Sequence, residues 1–271
     1  MAKPSVVPTL QKFLSHFSFD PSRAGFLGVE REFFLESVGR CRCSFPGSRA
    51  NLVPRAPDFL AAVRDDHWTY ELSACQVEHR TDPCVDLCVL HDDLENGLAR
   101  GQEVAYRLGM EIAPREVAPL DMPLENYPEP RYDHLRAHVL SPERYLAACR
   151  VTGTHVHYGV GSVEEALAVY NRLVRALPVF LDAGDGSDGE RLRLYRIAAP
   201  ACDPPPLATV EEFYAHAVEA GFADNPRNCW DLVRISRHGT VEVRAFGAPR
   251  DTETVLSWAR LVRGFAVGRY S

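Results

Sequence analysis

The chain has 271 residues, 46% of them hydrophobic, which is enough for a sizeable core in one large or two small domains. Its net charge is −7 and it carries no basic stripe, which argues against a nucleic-acid partner. No apolar run approaches the roughly 18 residues of a membrane span, and Met1-Ala-Lys-Pro-Ser-Val lacks the apolar core of a signal peptide, so a cytoplasmic protein with no membrane partner is expected.

In chain order, residues 8–19 read as a helix, with Leu10, Leu14 and Phe17 at helical spacing. Residues 25–36 read as a strand: Leu27, Val29, Phe33 and Leu35 share one face with Arg31 as the exception, and Glu30, Glu32, Phe34 and Glu36 share the other. Gly, Pro, Ser and Arg dominate 39–54, the composition of a loop or irregular hairpin. His67 to Thr81 is strand-like. Asp82-Pro83 then opens a helix whose stripe is Leu87, Leu90, Leu94 and Leu98 and whose stop is Gly109. Five prolines in 113–133 predict a long connection over the surface or along a site.

Gly153-Thr-His155-Val-His157-Tyr-Gly159 reads as a strand with both histidines on one face. Ser162-x-x-Glu165 caps the next helix, which Pro178 limits, and a glycine and aspartate loop follows at 184–189. Thr209-x-x-Glu212 caps another helix, ending near Gly221. Residues 230–237 and 240–246 form a predicted hairpin turning at His238-Gly239, and a last helix covers 251–267. With no repeat and no clean linker, the pattern is one α+β domain over 1–271. The spacing of the eight cysteines is poor for zinc: Cys41-x-Cys43 is too tight, and Cys84-x3-Cys88 falls on a helix. They are read as small buried hydrophobes in a reducing compartment.

Several charged patterns carry chemistry, each with a plainer alternative. Glu30 and Glu32 on one strand face would repel unless cations sit between them, and a solvated strand face explains the same pattern. Glu71 and Glu78 are seven residues apart, so a regular strand puts them on opposite faces. Both reach one site only if the chain bends near Ser73-Ala74. In Thr240–Phe246, Val241, Val243 and Ala245 make an apolar face, and Glu242, Arg244 and Phe246 the opposite one. Glu242 and Arg244 are either a surface ion pair of little worth or a metal ligand beside a phosphate clamp, with Arg234 as a second guanidinium.

Gly28-Val-Glu-Arg-Glu-Phe-Phe-Leu35, Glu71-Leu-Ser-Ala-Cys-Gln-Val-Glu78 with Thr81, Thr152-Gly-Thr-His155-Val-His157 and Thr240-Val-Glu242-Val-Arg244 occur in that order. Together they resemble the bacterial glutamate–cysteine ligase type 2, or carboxylate–amine ligase, family of the glutamine synthetase superfamily, over about residues 26–265. The resemblance implies a curved, mainly antiparallel sheet, open on one face, with helices packed behind it. It also implies ATP, Mg2+ and amide-bond formation through an acyl phosphate, with glutamate as the acid and a small-molecule amine as partner. Carried over position by position, Glu30, His155 and Glu242 match one metal group, and Glu32, Glu71 and Glu78 the other. Arg244, with Arg234 and Glu242, falls in the phosphoryl-transfer set. His157 lies near the nucleotide phosphates. The family's serine-rich signature after Pro178 is replaced by Asp182–Arg196, where Arg191, Arg193 or Arg196 stands in for its arginine. Arg193 is grouped with His157 and Arg244 for cofactor binding. The oligomeric state is left open, a homodimer included. Two further readings compete: a non-catalytic binding or regulatory protein descended from a ligase, and a zinc hydrolase using His155, His157 and one glutamate.

Overall fold

The computed structural model describes residues 7–38 and 51–270. The expected loop at 39–54 lies outside the described residues up to position 50, and with it Cys41 and Cys43. Among the described residues seven strands form the sheet: β1 (Leu27–Ser37), β2 (Trp68–Tyr70), β3 (Gln76–Arg80), β4 (Met110–Ala113), β5 (Thr154–Gly159), β6 (Val233–Ser236) and β7 (Thr240–Phe246). Their order is β2-β3-β1-β5-β7-β6, and every pairing is antiparallel. β1 pairs with β5 through Leu27–Arg31 and with β4 through Phe34–Ser37. The helices are α1 (Leu10–Leu14), α2 (Ala56–Val63), α3 (Leu87–Arg107), α4 (Pro130–His134), α5 (Pro142–Cys149), α6 (Val163–Arg175), α7 (Leu177–Gly184), α8 (Glu190–Ala198), α9 (Val210–Glu219) and α10 (Thr252–Ala266). None is long and apolar enough to cross a membrane.

The period-2 alternation of β1 fixes which side is core. Leu27 and Val29 join Val156 and Val243 of the neighbouring strands in the main cluster, covered by α3, α6 and α10. Phe33 and Leu35 enter a second cluster with residues of α2 and α3. A one-residue slip of β1 would bury Glu30 and Glu32 there and expose four large apolar side chains, Leu27, Val29, Phe33 and Leu35. At about 1.5–3 kcal/mol for each buried apolar side chain, the register is strongly specified. Arg31, the exception, is buried on the core side. Its guanidinium stands 5.0 Å from the Phe33 ring centroid and donates to the Pro249 carbonyl (2.8 Å).

The front face is not bare along its whole length. Phe34 packs in a third cluster with Tyr132, Leu135 and Tyr145, so the α4–α5 region walls one end of it. The sequence reading had no helices in this stretch, although Ser141-Pro142 is a good start signal: the Ser141 hydroxyl accepts from the Arg144 N–H and Pro142 sits in the first turn. The α8 helix likewise falls where only a loop and arginines were read.

Other boundaries moved for local reasons. Residues 8–19 hold only the five-residue α1. Asp82-Pro83 does not open α3. That helix begins at Leu87, with the Asp86 carboxylate accepting from the Cys88 N–H. The residues before it stay extended because Cys84 exchanges two backbone hydrogen bonds with Leu27. His67–Thr81 is a hairpin rather than one strand. Gln76 N–H closes on the Ser73 carbonyl (3.0 Å) and Cys75 N–H on the Ser73 hydroxyl (3.1 Å), which puts a turn where the two glutamates required a bend.

β7 departs from its simple alternation. Its register with β5 shifts by one residue between the Thr154–Phe246 and Val156–Val243 pairs, a β-bulge. The bulge turns Phe246 away from the face of Glu242 and Arg244. The ring is fully buried behind the sheet, stacked on Trp258 at 4.8 Å and edge-on to Phe180.

Candidate active site

Five neighbouring strands, β3, β1, β5, β7 and β6, bring the chemistry together. In the β1–β5 ladder Glu30 lies opposite His155, and in the β5–β7 ladder His157 lies opposite Glu242. Glu32 lies opposite Glu78 of β3, and Arg234 of β6 opposite Glu242. The turn before β3 swings Glu71 to the same place, so Glu32, Glu71 and Glu78 each offer an oxygen within 4.8 Å of the others. A second set, Glu30, His157 and Glu242, meets the same limit, and so does a third, Glu30, Glu78 and His155. The sets share residues and form one continuous acidic and imidazole surface. Its cavity, of about 390 Å³, is also lined by Tyr70, Arg131, Trp230, Arg237 and His238.

Both histidines lie beside Glu30 and Glu242, the expected His155 grouping included. His157 Nε2 points between Glu30 (3.5 Å) and Glu242 (3.9 Å) and has no hydrogen-bond partner, while its Nδ1 is fixed on the Thr240 hydroxyl at 2.8 Å. His155 lies deeper, with Nδ1 3.2 Å from Glu30 and 3.8 Å from Glu242, and Nε2 3.5 Å from Glu32. Glu30 and Glu242 therefore stand within reach of both histidines; the Glu30–His157–Glu242 oxygens and nitrogen all lie within 4.8 Å of one another, and His155 also reaches Glu32.

Electrostatics divide the acids into two kinds. Burial pushes Glu30 up, but His157 and His155 outweigh it and hold Glu30 well below its ordinary value. Burial likewise pushes Glu242 up, and the guanidiniums of Arg234 and Arg244 overcome it and keep the group ionised. Glu32 is the opposite case: burial, with the nearby Glu71 charge, lifts it to about 8 despite Arg244 and Arg191. Burial also raises Glu71, and burial with Glu30, Glu71 and Glu32 raises Glu78 well above its usual range. Burial and the Arg244 charge lower His155 to about 4, so it is neutral and a competent ligand, whereas Glu30 and Glu242 raise His157 against its burial.

These features fit divalent cations. A cluster of three carboxylates, Glu78 buried and Glu32 and Glu71 half-buried, that resist ionisation together lacks positive charge, which a divalent ion supplies. Its all-oxygen donor set suits Mg2+ better than Zn2+. The unpartnered His157 Nε2, with its other nitrogen anchored, has the usual arrangement of a ligating imidazole.

The arginines separate clearly. Arg234 donates to Glu242 through Nε (2.7 Å) and to the Cys229 carbonyl (2.7 Å). Arg244 reaches Glu242 through NH1 (2.5 Å) and the Tyr195 hydroxyl through Nε (3.1 Å). Arg193 is a correction. It is exposed, forms a two-point pair with Glu190 on its own helix (2.7 and 2.8 Å), and does not line the cavity. Arg196 pairs with Asp203 outside it. Arg191 is buried beside the cavity, with its donors directed to backbone carbonyls. The sequence reading missed Tyr195, Arg131 and Arg227 as lining residues. Arg131 and Arg227 have no carboxylate within ion-pair distance among the described residues, and the sequence signal for them was only their place near prolines in loops.

An open antiparallel sheet backed by helices, with acid sets, histidines and arginines on its front, is a glutamine synthetase-like fold. The chain belongs to glutamate–cysteine ligase family 2, whose description matches residues 26–268. A Thermobifida fusca protein provisionally named glutamate–cysteine ligase 2 is 28% identical over 259 residues, covering 89% of this chain and 63% of its own length. A Rubrobacter xylanophilus protein provisionally named glutamate–cysteine ligase 2-3 is 30% identical over 261 residues, covering 89% of this chain and 68% of its own. The chain thus spans about two thirds of these relatives. A bifunctional glutathione synthetase from Pasteurella multocida shares the fold, with a TM-score of 0.55 at 15% identity over 95% of this chain and 39% of that one.

Proposed function

We propose that this protein is an ATP- and Mg2+-dependent carboxylate–amine ligase that joins an amino-acid carboxylate, glutamate by family, to a small-molecule amine through an acyl phosphate. The carrying observation is the pair of adjoining ligand sets, Glu32–Glu71–Glu78 and Glu30–His157–Glu242, beside an arginine whose guanidinium is held at the cavity wall.

A carboxylate does not condense with an amine at neutral pH because oxide is a poor leaving group. Attack of the carboxylate oxygen on the γ-phosphorus of ATP releases ADP and makes that oxygen the bridge of an acyl phosphate, a mixed carboxylic–phosphoric anhydride. The amine then adds to the carbonyl carbon, and inorganic phosphate leaves with the original oxygen. Bound Mg2+ neutralises phosphate charge and aligns the transferring group. Glu32, Glu71 and Glu78 would hold one ion and Glu30, Glu242 and His157 another. Arg244 stabilises charge on the transferring phosphoryl group. Arg234 fixes Glu242 from its other side. No protein nucleophile is needed.

A screen for ATP-dependent phosphate release over amino acids, with and without amines, tests the activity. Glutamate labelled with 18O in its carboxylate tests the route: label must appear in phosphate. Amide formation without label transfer refutes the acyl phosphate, and no turnover with any acid refutes the ligase reading.

A further inference from the structure

We propose that α8 is a clamp that sets the position of Arg244 from two directions, with Tyr195 as the positioning residue for its guanidinium and Arg191 for its backbone. The kinetic part of this inference rests on the ligase reading, and the structural part stands without it.

The bulge in β7 is where the clamp attaches. An irregular ladder leaves carbonyls that the neighbouring strand cannot pair, and buried carbonyls need donors. Arg191 supplies them: NH2 donates to the Arg244 carbonyl (3.2 Å), NH1 to the Ala245 carbonyl (3.3 Å) and Nε to the Thr152 carbonyl (2.7 Å). One guanidinium therefore ties β7 to the segment leading into β5. The approach is close enough that a Cβ on Gly153 would stand 2.2 Å from Arg191 NH2, so glycine is required there. The Gly153 N–H in turn donates to Glu32 Oε2 (2.7 Å), linking the same junction to an acid of the front face.

One helical turn later, the same face of α8 carries Tyr195. Its ring lies near the Arg191 guanidinium (5.9 Å), its hydroxyl donates to the Trp230 carbonyl (2.9 Å), and its oxygen accepts from Arg244 Nε (3.1 Å). With NH1 on Glu242 and Nε on Tyr195, two corners of the planar fork are fixed. Glu242 is itself a candidate metal ligand, so Tyr195 is the anchor that does not share its contact with an ion. A neutral phenol also holds the guanidinium without neutralising it, which leaves the full positive charge for an anionic ligand.

The test measures position and function separately. In uniformly 15N-labelled protein, hydrogen exchange at Arg244 Nε–H reports the Tyr195 contact directly. The wild type should be protected, and Tyr195→Phe should exchange about tenfold faster or more, the scale of one lost hydrogen bond to a charged group. In steady-state assays Tyr195→Phe should lower kcat by about tenfold with ATP affinity unchanged. In an Arg244→Lys background the same change should produce no further loss, because its effect passes through Arg244. Tyr195 as mere packing predicts instead losses that multiply in the double variant. An unprotected Arg244 Nε–H in the wild type, unchanged exchange in Tyr195→Phe, or multiplying losses would each overturn the clamp. A wild type without ATP-dependent phosphate release would defeat the ligase reading, and the exchange measurement would still decide the clamp.

Discussion

Glu32 makes the metal-free protein lose stability as pH rises, and Mg2+ should reverse that loss. Its folded value of about 8 lies above the ordinary 4.5, so its stabilising contribution is fully present below 4.5 and is lost as pH climbs through 8. The window from pH 6.5 to pH 8 samples part of this loss. His155 and His79, both lowered to about 4, are neutral there in the folded protein but half protonated at pH 6.5 in the unfolded chain, so each opposes the fall by about 0.4 kcal/mol. Glu30 and Glu242, both lowered, keep their stabilising contribution throughout the window and lose it only in acid. Glu71, Glu78 and His157 are all raised and push the same way as Glu32. Integrating the titration of Glu32 alone gives a loss of about 2 kcal/mol across the window. For a chain of this size that is a fall in Tm of roughly 4–8 °C. Thermal unfolding in EDTA and in Mg2+ at the two pH values is the assay. Mg2+ binds the ionised carboxylates, so its stabilisation should be larger at pH 8 than at pH 6.5, and Glu32→Gln should flatten the EDTA slope. A metal-free Tm that rises over this window, or Mg2+ stabilisation that is larger at pH 6.5, would refute the reasoning.

Glu30→Gln and Glu32→Gln should each remove most ATP-dependent phosphate release while the circular dichroism spectrum stays native; a double variant with normal turnover would sink the metal assignment. Arg244→Lys should keep ATP affinity within a few-fold and lower turnover by about a hundredfold, because lysine retains charge but not the planar fork; wild-type values for both would make Arg244 only a partner of Glu242. Phe246→Ala should reduce the unfolding free energy by about 3–5 kcal/mol, the usual range for a buried phenylalanine. A loss under about 0.5 kcal/mol in denaturant titration would place the ring on an exposed face and remove the bulge.

Where strand alternation governs, the sequence reading held. Glu30 with Glu32, and His155 with His157, share the front face because Leu27, Val29, Val156 and Tyr158 must be buried behind it. The bend between Glu71 and Glu78 was legible as a condition, since a regular strand separates them, and the Ser73 turn meets it. Phe246 was misplaced because the bulge is stabilised by Arg191, more than fifty residues earlier in the chain, so no local signal announces it. Arg193 was preferred over Arg191 for a related reason. Both read as charged residues of one segment, and only packing shows that one faces Glu190 and solvent while the other faces unpaired carbonyls. Tyr195 looked like an ordinary helix residue until β7 was placed beside it.

The front-face acids are gathered from remote parts of the chain: the Glu30–His155 contact spans 125 positions and the Glu32–Gly153 contact 121. Non-local pairing of this kind forms late and slowly, after long loops have closed. A nascent or partly folded chain therefore has no complete acid set, and an ion bound by these residues would not act as a folding nucleus as it does in small zinc modules. Its influence would fall on the return journey: by holding β1, β5 and β7 together it should slow unfolding and leave the folding rate nearly unchanged. Ion loss then becomes a matter of lifetime, shortening how long each folded molecule persists rather than whether it forms.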